Sequence, residues 1–108
     1  MDIRVAKAIA NRYASRARKA NRTFLLTVQE VLDLITKDCS HCKCSPYLEY
    51  FVGGTMYYYH TIDRIDNTLG YETSNVQTLC RSCNTRKGRL TMQRFLETSS
   101  CRRNLFAK

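Results

Sequence analysis

The chain begins with a pattern of apolar side chains that predicts an amphipathic helix. Between residues 2 and 21 these side chains recur at steps of three and four, as on one face of a helix: Ile3, Ala6, Ile9, Ala10, Tyr13, Ala14 and Ala17. Most of them are alanines, which are weakly hydrophobic. We therefore expect this helix to pack loosely and to be partly detached when no partner is bound.

A second helix is expected to begin at Thr27. Thr27 and Glu30 have the spacing of a capping box, in which each residue binds a free backbone N–H group of the other. The apolar residues that follow predict a buried face, and the helix is expected to end near Lys37.

The middle of the chain has the composition of β-strands. Residues 47–52 and 55–62 are rich in aromatic and β-branched side chains, and Gly53-Gly54 separates them. Two adjacent glycines favour a tight primed turn, so the pattern predicts a hairpin. Residues 76–79 predict a further short strand. We therefore expect an α+β fold.

The last third of the chain predicts two more helices. One is expected to begin around Cys83 and Asn84 and to be interrupted at Gly88. Thr91 can cap the other, with Phe95 and Leu96 among its inward residues.

Four of the six cysteines form two CxxC pairs, Cys39/Cys42 and Cys80/Cys83. Two such pairs, a few tens of residues apart, are typical of a structural zinc site, because four thiolates complete a tetrahedron around the ion. We interpret Cys44 as a spectator and Cys101 as free. Buried free cysteines, or disulfides after removal of a secretory signal, remain the alternatives.

The chain of 108 residues is strongly basic, with a formal net charge of +9. Residues 1–22 and 80–108 carry fifteen of the eighteen Lys and Arg, whereas residues 23–79 carry seven of the nine acids. Two basic arms around an acidic centre suit a polyanion such as nucleic acid, although a merely solvated basic surface is the alternative. We divide the chain into a basic helix (1–22), a zinc-supported domain (23–98) and a basic tail (99–108).

Between the two CxxC pairs lie an acidic motif, a turn glycine and an asparagine, and a second asparagine and a basic run follow the last cysteine: Asp63, Arg64, Asp66, Gly70, Asn75, Asn84, Arg86, Lys87 and Gly88. Together with both CxxC pairs, this pattern resembles the HNH endonuclease family of phage and mobile elements. The resemblance covers roughly residues 39–88. It implies a treble-clef-like ββα-metal finger, in which a hairpin and a helix hold one catalytic Mg²⁺ or Mn²⁺ and zinc supports the finger.

The resemblance also implies roles for individual residues. Asp63 and Asn84 would hold the catalytic ion through oxygen atoms, the ligands that magnesium prefers. Asn75 would tie the loop of the finger together, and Gly70 matches the turn glycine. The following basic residues are expected to hold phosphates, together with those of the N-terminal helix: Arg64, Arg86, Lys87 and Arg89, and Arg4, Lys7, Arg12, Arg16, Arg18, Lys19 and Arg22.

One position departs from the family. The metal-binding Asp is usually followed by the His that activates water, and here that residue is Arg64. His60 is the better-placed candidate for a general base. In a regular strand, however, it would lie on the opposite face from Asp63, so a bend would be required. Asp66, acting through a water, is the rival. Alternatively, His60 packs against a tyrosine.

The sequence thus predicts an intracellular, metal-dependent HNH endonuclease that hydrolyses DNA, either in a bacterial cytoplasm or in a virus-infected cell. A monomer would nick, and a homodimer could cut both strands. The resemblance implies structural zinc and Mg²⁺ or Mn²⁺; we expect no organic cofactor and no membrane partner. The alternative is a non-catalytic, zinc-dependent nucleic-acid-binding module. A redox protein built on CxxC is disfavoured, because no thioredoxin-like βαβ pattern surrounds either pair.

Overall fold

The structure is a computed structural model that describes residues 1–97. The predicted basic tail and Cys101 lie outside the described residues. The elements, in chain order, are α1 (Ile3–Lys19), α2 (Val28–Ile35), β1 (Leu48–Val52), β2 (Thr55–Tyr59), β3 (Thr61–Arg64), a 3-10 turn (Thr73–Asn75), β4 (Val76–Leu79), α3 (Arg81–Lys87) and α4 (Met92–Leu96). This mixed arrangement confirms the α+β prediction.

Helix α1 is packed into the main core, so the expectation that it docks loosely is wrong. Asp2 caps the helix by accepting the backbone N–H of Arg4 at 2.8 Å. One face is buried, and it consists of Val5, Ala6, Ile9, Ala10, Tyr13 and Ala17. The bulky members supply apolar contact, while the alanines allow α2 to approach closely. The Tyr13 hydroxyl also accepts the backbone N–H of Ile62 at 3.0 Å, which ties α1 to β3.

Helix α2 begins as predicted. The Thr27 hydroxyl accepts the Glu30 backbone N–H, and the Glu30 carboxylate accepts the Thr27 backbone N–H. Val31 and Ile35 are buried in the same core as α1. The helix therefore lies between α1 on one side and the β3–β4 pair on the other.

The predicted strand over 55–62 is interrupted at His60, and its two parts belong to different sheets. Strands β1 and β2 form the expected hairpin, with Val52 opposite Thr55 and both turn glycines at positive φ. Strand β3 pairs instead with β4, in antiparallel register from Thr61 opposite Leu79 to Arg64 opposite Val76. At the interruption, the His60 backbone N–H donates to the carbonyl of Ile35 at the end of α2.

Helix α3 packs on one face of the β3–β4 pair. It begins two residues earlier than predicted, because the Cys80 sulfur caps the backbone N–H of Cys83. It ends at Gly88, where φ is +46°. Since side chains alternate along a strand, Thr61 and Asp63 face α3, whereas Ile62 faces the core beneath α1. Strands β3 and β4 with α3 thus form a ββα finger.

A second, smaller core lies beside the finger and contains the four paired cysteines, Leu79 and Phe95. Helix α4 is capped by Thr91, as predicted, and supplies Phe95. Leu96, which was expected to face inward, is 60% exposed, because the five-residue helix buries only one side. Among the described residues, no helix has the length and hydrophobicity of a membrane span.

Candidate active site and zinc centre

The four paired cysteines form one buried cluster. Their sulfur atoms all lie within 4.8 Å of one another. Cys39 and Cys42 lie in the loop after α2, and Cys80 and Cys83 lie at the start of α3. The sulfurs of Cys42 and Cys80 are 3.8 Å apart, which matches the separation of about 3.8 Å for two sulfurs held about 2.3 Å from a tetrahedral zinc ion. The cluster therefore fits structural zinc.

The loop that carries the first pair is shaped to bring its sulfurs inward. Lys43 adopts a positive φ of 67°, and its backbone N–H donates to the Cys39 carbonyl at 2.9 Å. A hydrogen bond between the sulfurs of Cys39 and Cys80 lowers the pKa of Cys39 and raises that of Cys80. One thiolate is thus favoured before any cation enters, and a bound cation would favour the others.

Asp63 lies on the finger face between β3 and α3 and is paired with a buried lysine. Its carboxylate is 7% exposed, and one oxygen lies 3.2 Å from the Lys87 ammonium, which is completely buried. The same oxygen accepts a hydrogen bond from the Gln77 side chain at 3.0 Å. Lys87 also donates to the carbonyl of Arg64 at 2.9 Å. A buried ion pair therefore joins β3 to the end of α3.

Asn84 lies on the same face of the finger as Asp63, one helical turn before Lys87. Its amide nitrogen donates to the hydroxyl of Thr61 at 2.8 Å, and that hydroxyl donates to the Leu79 carbonyl at 2.6 Å. The structure thus brings Asp63 and Asn84 to one face of the finger. The Asp63 oxygen that contacts Lys87 and Gln77 is thus occupied, which leaves its other oxygen and the side-chain oxygen of Asn84 as the atoms that could hold a divalent ion.

Asn75 holds the loop between β3 and β4. It is 4% exposed. Its side-chain oxygen accepts the Asp66 backbone N–H at 2.9 Å, and its nitrogen donates to the carbonyls of Gly70 (2.9 Å) and Asp66 (3.1 Å). Gly70 is required by a close contact, since a Cβ there would lie 2.1 Å from the Thr23 hydroxyl.

Arg64 and Asp66 are also engaged inside this loop. The Arg64 guanidinium donates to the carbonyls of Asn67 at 2.6 Å and Leu69 at 2.9 Å, and it stacks over the ring of Tyr71. The Asp66 carboxylate accepts hydrogen bonds from the hydroxyl and the backbone N–H of Thr68, which lower its pKa. Both side chains therefore shape the loop.

The fold of the chain has a counterpart among solved structures. The rare-cutting HNH restriction endonuclease PacI matches with a TM-score of 0.64, over 84% of this chain and 71% of that chain. The chain has the fold of an HNH endonuclease. The two sequences are 17% identical, so the likeness concerns the fold.

A similar sequence is found in a large virus. The "Uncharacterized protein R423" of Acanthamoeba polyphaga mimivirus is 34% identical over 85 residues, which cover 79% of this chain. The matched part is 14% of that protein's length. No protein-family model matches the chain.

His60, the predicted general base, lies at the bend between β2 and β3. Its side chain is completely buried beside the cysteine cluster, and its ring packs edge-on against Tyr47 rather than Tyr59 or Tyr71. The Nε2 atom lies 3.0 Å from the Cys44 carbonyl. A carbonyl can only accept, so Nε2 carries the proton and Nδ1 remains a buried acceptor without a partner among the described residues. The bend at His60 thus turns the ring towards the cysteine cluster and away from solvent.

Two residues of the ββα finger that were expected to hold phosphates have other contacts. Lys87 is buried and paired with Asp63, so its ammonium cannot reach a surface-bound phosphate. Arg64 is bonded to loop carbonyls. Arg89 remains exposed, as do six of the seven basic residues between Arg4 and Arg22; Arg86 and Arg22 are half-buried.

Sequence reasoning missed two residues near the ββα finger. Gln77 contacts Asp63 because the two are directly opposite each other in the β3–β4 register. Pairing residues 76–79 with the strand that carries Asp63 would have placed Gln77 opposite Asp63, so the sequence held a signal for this contact. Arg81, between the two cysteines of the second pair, lines an exposed cleft with Arg12 and Arg16. Only the tertiary structure brings it near α1.

Proposed function

We propose that the chain is an HNH endonuclease that hydrolyses phosphodiester bonds in DNA. The observation that carries the proposal is the ββα finger, fixed against a four-cysteine cluster, with Asp63 and Asn84 on one face. The HNH structural neighbour is itself a DNA-cutting enzyme. A net charge of +9 favours binding to a polyanion.

Catalytic Mg²⁺ or Mn²⁺ is part of this proposal. The Asp63 oxygen that does not contact Lys87 and the side-chain oxygen of Asn84 would hold such an ion. The ion would supply charge stabilisation at the phosphate. The protein's own part is to hold the finger rigid and to present basic groups around it: Arg86, Arg89 and the exposed cations of α1.

The proposal extends to assembly and compartment. One finger provides one active site, so a monomer is expected to nick duplex DNA, and a homodimer to cut both strands. The zinc cluster requires reduced thiols, which are typical of an intracellular compartment.

The second candidate is a zinc-dependent module that binds nucleic acid without cutting it. The observations that favour it are the buried pairing of Asp63 with Lys87 and the complete burial of His60. Under this alternative the finger would be a structural support, and the basic surface alone would carry function.

A plasmid-nicking assay separates the two candidates. The zinc-loaded protein is incubated with supercoiled plasmid in EDTA, Mg²⁺ or Mn²⁺, and the appearance of open circles is followed. We expect cutting only with a divalent ion. Asn84→Ala and Asp63→Asn should each lower the rate at least about hundredfold, the usual scale for losing a group that acts in the transition state.

Asp33→Asn is the matched control, since it removes one carboxylate charge from an exposed position of α2. It should leave the nicking rate unchanged. DNA binding without cutting under any of these ions would favour the binding module. His60→Ala tests the base: an unchanged rate in a folded variant would exclude His60 from catalysis.

A further inference from the structure

A cleft of about 300 Å³ lies between α1, the β1–β2 hairpin and the start of α3. Arg12 and Arg16 line it from α1, and Arg81 lines it from α3. The three arginines thus come from two elements far apart in sequence. No carboxylate among the described residues lines this cleft, so its charged lining is entirely positive.

Two of the three arginines of the cleft, Arg12 and Arg16, are positioned by aromatic rings rather than by acids. The guanidinium carbon of Arg12 lies 5.3 Å from the centre of the Tyr50 ring, and that of Arg16 lies 5.3 Å from the Tyr13 ring. Within residues 1–97, none of the three forms an ion pair with a carboxylate. Cation–π contacts hold a guanidinium by its face and leave its N–H donors available to a ligand.

The inner wall of the cleft leads to the finger. Thr61 lines the cleft, and its hydroxyl accepts a hydrogen bond from Asn84 at 2.8 Å. A DNA strand lying in the cleft would therefore pass beside Asn84, which we place in the active site. The cleft is exposed, so an extended chain can enter and leave it.

We propose that this cleft binds the phosphodiester backbone of DNA next to the bond that is cut, with Arg81 and Arg12 as its main phosphate contacts. Guanidinium groups bind phosphate oxygens through pairs of N–H donors, which gives these contacts direction as well as charge. This inference rests on the proposed function, because that function places Asn84 at the reacting phosphate. It also limits the predicted DNA contacts of α1 to the face that lines the cleft.

Binding of fluorescent duplex DNA, measured by anisotropy at several salt concentrations, tests the cleft. The double variant Arg12→Ala/Arg81→Ala is compared with Lys37→Ala/Arg94→Ala, which removes two exposed positive charges elsewhere. We expect the cleft variant to bind at least about tenfold more weakly, with a salt slope smaller by about 2, because each lost phosphate contact removes about 0.9 from the slope. The control should change affinity by less than about twofold.

Equal losses of DNA affinity in the two double variants would contradict the proposal that the cleft binds DNA. So would displacement of duplex by micromolar thymidine monophosphate, since the cleft would then be a nucleotide pocket. Zinc content and circular dichroism establish that each variant is folded. A wild-type protein that binds DNA with this arginine dependence but never cuts it would contradict the proposed activity and support the cleft.

Discussion

At the scale of single residues, the site is dominated by a buried charge pair. Lys87 was expected at the surface because it stands in a basic run, Arg86 to Arg89. The seven-residue helix α3 turns it inward, where it meets Asp63 and the carbonyl of Arg64. Burying a charge away from water is costly, and the opposite charge offsets that cost. Removal of either partner therefore leaves the other buried without its counter-charge.

This dependence predicts non-additive effects of substitution. Asp63→Asn leaves the Lys87 ammonium buried without its counter-charge and should lower the free energy of unfolding by about 3–5 kcal/mol. Lys87→Met should also destabilise. The double variant should be more stable than the sum of the two losses implies, by at least about 1 kcal/mol. Urea unfolding of the zinc-loaded proteins measures these values; strictly additive losses would contradict the pairing.

At the scale of elements, α1 is both a part of the core and a carrier of charge. Its buried face contacts α2 and β3, and its opposite face carries the arginines and lysines. The two roles follow from one helical repeat, since residues three and four apart share a face. Deleting the helix would therefore do more than remove a docking arm.

We predict that removal of residues 1–20 destabilises the whole domain. The deletion exposes Val31, Ile35 and Ile62, whose burial depends partly on Ile9 and Tyr13. A single change, Ile9→Ala, should already cost about 2–5 kcal/mol. Thermal unfolding followed by circular dichroism provides the measurement, and Lys7→Ala, on the exposed side of the same helix, is the control. An unchanged melting temperature for Ile9→Ala would contradict the packing.

At the scale of the whole molecule, two small cores flank the β3–β4 pair. One consists of apolar residues from α1, α2 and β3, and the other is built around four cysteines. A domain of about 100 residues buries a limited apolar area, so a metal ion can supply much of its stability. A zinc ion in the four-cysteine cluster would fix the start of α3 and hence the position of Asn84.

We therefore expect chelation of zinc to unfold the finger. Addition of a strong chelator should abolish the cooperative thermal transition, and Cys80→Ser should prevent zinc retention. Cys44→Ser is the control: the Cys44 sulfur contacts that of Cys42 at 3.3 Å but is not one of the four clustered sulfurs, so one zinc per chain should remain. Zinc is quantified with a chromogenic chelator. A fold and melting temperature unaffected by metal removal would contradict a structural zinc site.

The sequence by itself determined the local features of this protein. Periodicity located α1, the Thr27–Glu30 pair located the start of α2, Gly53-Gly54 located the hairpin turn, and spacing grouped the cysteines. Each of these features depends on residues that lie a few positions apart in the sequence. The resemblance to HNH endonucleases, carried by one segment, indicated the fold that the structure shows.

The tertiary structure decided which way the polar groups face. Whether Lys87 points to solvent or to Asp63, whether His60 points to solvent or to the Cys44 carbonyl, and whether Arg81 lines the same cleft as Arg12 all depend on contacts between elements distant in sequence. The local sequence around a charged residue is the same whether its side chain is buried or exposed. Its final position is fixed by the free energy of burial and by the partner that the packing provides.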